Sequence, residues 1–249
     1  MSESENPETG SSILTAGIST NYHDRGEGHP VLLLHGSGPG VSAWANWRLT
    51  MAHLEQDFRC VAPDLAGFGY TPVPADWKFT RDTWLGQMVA FLDALDLDRV
   101  HVIGNSFGGA MALALALAYP ERVDRLVLMG SVGVDFELTH GLDLVWGHKP
   151  SLAKMRDVMD VFAFDSSLIS DDLIALRHKA SCRPEVAEAY ARMFPAPRQR
   201  WVEALAIAPE QIATIPHETL IVHGREDRVI PLSNSLKLLE SIDRSRLHV

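Results

Sequence analysis

Short continuous apolar runs alternate with longer stretches of helical spacing along the first half of this chain. Ile13 to Tyr22 alternates loosely before Asp24, Gly26 and Gly28, and predicts an opening strand and turn. Val31 to Leu34 is apolar at every position, as a strand buried on both faces should be. Arg59 to Leu65, Val100 to Asn105 and Leu126 to Gly130 read as further strands. Between them, Ser42 to Gln56, Thr80 to Leu95 (capped by Thr80 or Asp82) and Phe107 to Tyr119 (stopped at Pro120) carry helical spacing. Strands alternating with helices predict an α/β fold whose mostly parallel, doubly wound sheet has helices on both faces.

The rhythm breaks after the fourth buried strand. Leu138 to Trp146, Leu152 to Phe162, Ser170 to Lys179 and Glu185 to Met193 all read as helices, and Pro195, Pro197, Pro209 and Pro216 punctuate the far end of the block. The strand pattern resumes at Thr219 to His223, continues through a helix at Leu236 to Ile242, and restarts at Arg246. A second domain is the alternative, but the immediate return of the sheet pattern favours an insertion. The expected organisation is a core of residues 13–133 and 216–249, a helical lid over 134–215, and a disordered tail over 1–12.

Composition narrows the field of functions. With 46% hydrophobic and 22% charged residues the chain can build a sizeable core, and a net charge of −10 argues against nucleic acid or an anionic membrane surface as a partner. The polar, acidic start has no signal-peptide pattern and the apolar stretch Ala110 to Tyr119 is too short to span a bilayer, so a cytoplasmic protein is expected. Cys60 and Cys182 make neither a disulfide framework nor a zinc-spaced cluster.

The strongest chemical signal is Gly104-Asn105-Ser106-Phe107-Gly108. This G-x-S-x-G follows a predicted strand and opens a predicted helix, the setting of the nucleophile elbow in α/β-hydrolases, with Ser106 as nucleophile. An anionic tetrahedral intermediate needs two convergent N–H donors. Phe107, after the nucleophile, offers one; Ser37, in His35-Gly36-Ser37-Gly38-Pro39-Gly40 after a buried strand, offers the other. A phosphate-binding loop would need a different glycine spacing and a lysine. The turn His223 to Pro231 holds two candidate acids, Glu226 and Asp227, in the chain order nucleophile, acid, histidine usual for the fold. The expected histidine is missing. His248, the one histidine beyond Asp227, lies inside the last predicted strand, and His35 reads as a packed turn residue.

These residues resemble the meta-cleavage product hydrolases of bacterial aromatic degradation. The resemblance runs from about Ala16 to the last residue and is dense at H-G-S-G-P-G-V-S-A-W-A-N-W-R, G-N-S-F-G-G, R-L-V-L-M-G-S-V-G-V, F-P-A-P-R-Q-R-W and H-G-R-E-D-R-V-I-P. It is most similar to the branch acting on ring-fission products of monocyclic compounds, the 2-hydroxymuconic semialdehyde hydrolases. The resemblance implies hydrolysis of a C–C bond in a small anionic 2-hydroxy-6-oxo-dienoate, with no metal and no organic cofactor. It implies Ser106 as nucleophile or water-activating base, Asp227 rather than Glu226 as acid, and Ser37 and Phe107 as oxyanion donors. Asn46, Asn105 and Arg177 match positions that hold the dienoate carboxylate and 2-hydroxyl, and Phe162 and Trp146 match pocket-lining positions.

The chain departs from the family at its end: in the family, the strand L-H-V continues into a loop with the catalytic histidine and then a final helix. The expectation is therefore a partial sequence, its last strand cut short and its final helix and histidine missing, nearly inactive as written; the full-length protein is expected to be a homo-oligomer. The rival readings are an ordinary serine esterase of the same fold and a non-catalytic small-molecule binding protein.

Overall fold

The computed structural model describes residues 6–249. Eight strands form one sheet: β1 (Ser11–Thr15), β2 (Ile18–Arg25), β3 (His29–Leu34), β4 (Phe58–Pro63), β5 (Val100–Asn105), β6 (Val123–Met129), β7 (Glu218–Val222) and β8 (Ser245–His248), in the spatial order β1-β2-β4-β3-β5-β6-β7-β8. The β1–β2 and β2–β4 pairs are antiparallel and the others parallel. Three helices pack on the first half of the sheet, α1 (Ala43–Leu54), α2 (Arg81–Ala94) and α3 (Phe107–Ala118). Between β6 and β7 run α4 (His140–Trp146), α5 (Leu152–Phe162), α6 (Asp171–Ser181), α7 (Pro184–Met193), α8 (Gln199–Leu205) and α9 (Pro209–Ile212), with no strand among them; α10 (Leu232–Ser241) links β7 to β8.

The central strands form because both faces are covered. Leu32, Leu33 and Leu34 of β3 are fully buried, as a parallel sheet between helix layers requires. Helix α3 is buried along nearly its whole length, and its sequence FGGAMALALALA is apolar all round. Side-chain caps fix the starts of the flanking helices. Ser42 accepts from the Ala45 N–H at α1, and Thr80, not Asp82, makes a reciprocal box with Thr83 at α2.

Two sequence expectations are corrected at the amino-terminal end. The alternation from Ile13 to Tyr22 is not one strand but a hairpin, turned by Ala16 and Gly17 at φ 47° and 81°, the paired positive dihedrals of a tight two-residue turn. The tail expected over 1–12 is ordered within its described part. Glu8 is buried, and β1 starts at Ser11; residues 1–5 lie outside the described residues. Helices α8 and α9 were not expected, because each is under three turns and lies in the proline-punctuated stretch.

Candidate active site

Ser106 sits between the end of β5 and the first residue of α3, with φ 53° and ψ −112°. Few side-chain-bearing residues adopt that backbone, and it persists only where the surroundings hold it. Here the Ser106 N–H donates to the Met129 carbonyl at 2.8 Å, and its carbonyl accepts from Gly109 at 3.0 Å and Val132 at 3.1 Å. The hydroxyl caps nothing in α3 and lines the cavity above the sheet. The flanking glycines are there for space. A Cβ on Gly104 would stand 2.4 Å from the Gly108 carbonyl oxygen, and one on Gly108 would stand 2.1 Å from that of Leu34.

The Ser37 loop, which follows β3, meets this turn: a Cβ on Gly36 would touch the Ser106 Cβ at 3.6 Å. Among the described residues, the N–H groups of Ser37 and Phe107 donate to no protein acceptor, so both are free for developing negative charge. The loop is held from above. Trp146 donates its indole N–H to the Ser37 Oγ at 2.9 Å, and the Tyr190 hydroxyl lies 2.9 Å from the Ser37 carbonyl oxygen and 2.8 Å from that of Val145. Burial pushes the Tyr190 phenol well above its ordinary range, which keeps it a donor. Trp146 therefore corrects the expectation that it lines the pocket. It is 2% exposed, stacks on Phe194 with centroids 4.4 Å apart and planes at 7°, and does not reach the cavity wall.

Asp227 and Glu226 both line the cavity, but the backbone distinguishes them. The Asp227 Oδ1 accepts from the N–H groups of Val229 at 2.8 Å and Ile230 at 2.9 Å, which orients the carboxylate and leaves Oδ2 for another partner. Gly130 gives it room, since a Cβ there would stand 3.2 Å from Oδ2. Glu226 is exposed.

No histidine lines this cavity among the described residues. His223 comes within 3.7 Å of Asp227, but its ring is buried between the Ser235 hydroxyl at 2.6 Å and the Ile230 carbonyl at 3.0 Å. His35 is fully buried; its Nδ1 donates to the Gly36 carbonyl at 2.7 Å and its Nε2 accepts from Leu65 at 2.9 Å. His248 lies in β8, paired with Val222. The remaining cluster with metal-ligand spacing, His29, His101 and Asp124, lies at the opposite ends of β3, β5 and β6, where Asp124 already pairs with Arg99.

The cavity has a volume of about 920 Å³ and is lined by Ser37, Asn46, Asn105, Ser106, Arg177 and Asp227 among others. The Asn46 carbonyl oxygen accepts from the Gly36 N–H at 3.0 Å and from the Asn105 NH2 at 3.1 Å. That arrangement turns the Asn46 NH2 and the Asn105 carbonyl toward other partners, one donor and one acceptor for an enol or keto oxygen. Arg177, from α6, donates to the Gly40 carbonyl at 3.3 Å and pairs with Glu8, its side chain only 13% exposed. Phe162 lines the cavity and covers Gly38, where a Cβ would meet its ring at 3.4 Å. Two groups of lining residues were not anticipated. Glu8 comes from the supposed tail and carries no motif. Met155 and Val158 of α5 share a helical face with Phe162, a spacing that could have revealed them.

Residues 29–249 match the family described as alpha/beta hydrolase fold. The chain is 56% identical over 243 residues to a 2-hydroxymuconate semialdehyde hydrolase of a Pseudomonas species, covering 98% of this chain and 86% of that one. It is 58% identical over 244 residues to a 2-hydroxy-6-oxo-2,4-heptadienoate hydrolase of Pseudomonas putida, covering 98% and 88%. Among solved structures it is similar to the meta-cleavage product hydrolase CumD of Pseudomonas fluorescens, as a serine-to-alanine mutant complexed with acetates, at a TM-score of 0.97 and 55% identity, covering 98% of this chain and 90% of that one.

Proposed function

The chain belongs to the meta-cleavage product hydrolases of the alpha/beta hydrolase fold, and from that premise we propose that it adds water across the C5–C6 bond of a 2-hydroxy-6-oxo-dienoate. The products are 2-hydroxypenta-2,4-dienoate and a short carboxylic acid. The observation that carries the reading is one cavity lined by a serine on a nucleophile turn, a paired Asn46–Asn105 amide and a guanidinium, with the Ser37 and Phe107 N–H groups beside that serine donating to no protein acceptor.

Each part has a task. Arg177 takes the substrate carboxylate, since a guanidinium can grip it with two parallel bonds. Asn46 and Asn105 hold the 2-oxygen through its change from enol to ketone. Protonation at C5 makes a 2-keto-3-ene, which can accept the electrons of the C5–C6 bond as that bond breaks. Ser106, attacking the C6 carbonyl or activating the water that does, creates the oxyanion that the Ser37 and Phe107 amides stabilise. The hydroxyl goes to the acyl product and a proton to the dienoate. Asp227, held through Oδ1, presents Oδ2 to an imidazole. The helices between β6 and β7 act as the lid over this site.

With no imidazole lining the cavity among the described residues, the Ser106 hydroxyl of this chain keeps its proton at neutral pH. Binding and the oxyanion amides then leave on the order of 10³–10⁴-fold catalysis over water. The test is single turnover of 2-hydroxy-6-oxohepta-2,4-dienoate by excess protein, with and without added imidazole, followed by the loss of the dienoate chromophore and by product analysis. Slow release of acetate and 2-hydroxypenta-2,4-dienoate in equal amounts, accelerated by imidazole and abolished by Ser106→Ala, is expected. Cleavage of a neutral aryl ester with no binding of the dienoate would place the chain with ordinary esterases instead. Full-speed turnover without imidazole would show that these residues already contain the base.

A further inference from the structure

Arg177 lines the cavity together with an ion-pair partner. Glu8, three residues before β1, also lines the cavity and pairs with the Arg177 guanidinium. The side chains are 12% and 13% exposed, so each charge is largely removed from water. The other Glu8 oxygen accepts from the Ser42 hydroxyl at 2.7 Å. Ser42 is also the N-cap of α1, the helix that carries Asn46 one turn further on. One carboxylate thus joins the helix bearing the arginine to the helix bearing the amide.

The segment that delivers this carboxylate is tied down by its backbone. The Glu8 carbonyl accepts from the Asn21 NH2 at 3.1 Å and lies 3.3 Å from His23 Nε2, while Asn21 also accepts from the Gly10 N–H at 2.8 Å. Asn21 in turn donates to the buried Asp64 at 2.8 Å, and Asp64 accepts from the first N–H of α1 at 2.6 Å. On the other side of the guanidinium, Gly40 bears directly on α6. At φ 69°, a Cβ there would stand 2.6 Å from the Ser181 N. The arginine is therefore clamped between Glu8 and the Gly40 carbonyl.

Resting on the reading of Arg177 as the carboxylate site, we infer that Glu8 is its positioning residue, the group that aims the guanidinium into the cavity. A guanidinium has five N–H donors, so one carboxylate and one carbonyl leave a share of them for the substrate. A buried arginine without a counter-ion is costly, and a long side chain avoids that cost by turning to water. Solvent is near, because the preceding residue, Leu176, is 52% exposed. Holding the arginine in place removes the ordering cost from the binding step. The opposing effect is repulsion between Glu8 and the substrate carboxylate. If repulsion dominated, Glu8 would be a competitor, and its removal would tighten binding.

The experiment measures binding without turnover, using Ser106→Ala and reading 2-hydroxy-6-oxohepta-2,4-dienoate and its methyl ester by the absorbance of the conjugated chromophore. Glu8→Gln and Glu8→Asp are compared with Arg177→Ala and with the Glu8→Gln/Arg177→Ala double variant. Glu8→Gln leaves the backbone ties of the segment intact, so a folded protein is expected, checked by its circular dichroism. The acid should bind about tenfold more weakly to Glu8→Gln, the loss for one charge-assisted contact, while ester binding changes little. The loss should disappear in the Arg177→Ala background, which a merely structural role for Glu8 would not produce. Unchanged or tighter acid binding in Glu8→Gln, with acid still preferred over ester in an Arg177-dependent way, overturns the inference and leaves the function standing. Equal binding of acid and ester by the protein with Glu8 and Arg177 intact removes the Arg177 reading, and the inference with it.

Discussion

The turn around Ser106 and the clamp around Arg177 face the same cavity but are built in opposite ways. At the turn, residue identity is imposed by backbone. Gly104 and Gly108 have main-chain atoms where a side chain would go, and Ser106 is held at positive φ by hydrogen bonds through its own peptide groups. At the clamp, side chains do most of the holding, and the groups come from three places far apart in sequence: Glu8, the Gly40 carbonyl with Ser42, and Arg177. On the proposed reading, the chemistry rests on a local motif and recognition on long-range pairs, which tie in a helical segment whose Phe162, Phe164 and Leu168 remain 49%, 82% and 73% exposed.

The contrast predicts that the turn tolerates no added atoms. Gly108→Ala should cost about 3 kcal/mol or more, because its new methyl meets the Leu34 carbonyl and cannot be accommodated by rotating a side chain. Gly86, also inside a helix but with nothing within 4 Å of its missing Cβ, is the control. Gly86→Ala should gain about 0.5–1 kcal/mol. Urea unfolding of both variants measures the difference. A neutral Gly108→Ala would mean that the backbone beneath the nucleophile yields, and the contrast with the clamp would lose its basis.

The same difference explains how much of the molecule was legible from sequence. Ser106, Asp227, the central strands and most helices left local marks: a glycine spacing, an acid after a strand, continuous apolar runs. Arg177 and Asn46 carry no local mark, and they became visible only through similarity along the whole chain. Glu8 was hidden in a polar, acidic stretch that read as a tail, because nothing within a few residues tells a buried glutamate from a solvated one. Trp146 was assigned to the right neighbourhood and the wrong task. Sequence position brings it to the site, but only the direction of its indole N–H shows that it holds the Ser37 loop instead of lining the cavity. His35 read as a packed turn residue, and both of its ring nitrogens are taken up by backbone partners.

Acid should separate the two regions next. Burial drives the His35 imidazole beneath the turn down to about 4, where it is neutral with Nε2 accepting from Leu65. Its contribution to stability is full above the unfolded value of 6.5 and is lost as pH falls through about 4. Asp64, behind the clamp through Asn21, is pushed up to about 7 by burial, against the hydrogen bonds from Tyr70, Ala43 and Asn21 that favour its charge. Its contribution runs the other way, complete below 3.8 and lost as pH rises through about 7. Comparison with His35→Gln isolates the first effect, because Asp64 is common to both proteins. From about pH 7 to about pH 4.5 the native protein should lose about 2–3 kcal/mol relative to the variant. Parallel stability curves would show that His35 accepts a proton without cost, and that the scaffold under the turn is looser than its hydrogen bonds imply.

The smallest effect is the most discriminating, because Trp146 is where the helical segment reaches into the catalytic region. Its ring stacks on Phe194, and its single N–H reaches the Ser37 Oγ. Trp146→Phe keeps an aromatic ring for the stack and removes only the donor, so stability should fall by about 1 kcal/mol, the net worth of one hydrogen bond. The Ser37 loop would lose one of its two ties to the helices, keeping the bond from Tyr190. If that loop supplies an oxyanion amide, the loss belongs to the transition state and not to the bound dienoate. Single-turnover cleavage should slow several-fold while dienoate affinity stays the same. The opposite split, with weaker binding and an unchanged rate, would place Ser37 among the recognition groups and leave Phe107 as the one oxyanion donor. The boundary between the rigid turn and the assembled clamp would then run between β3 and β5, through the Ser37 loop itself.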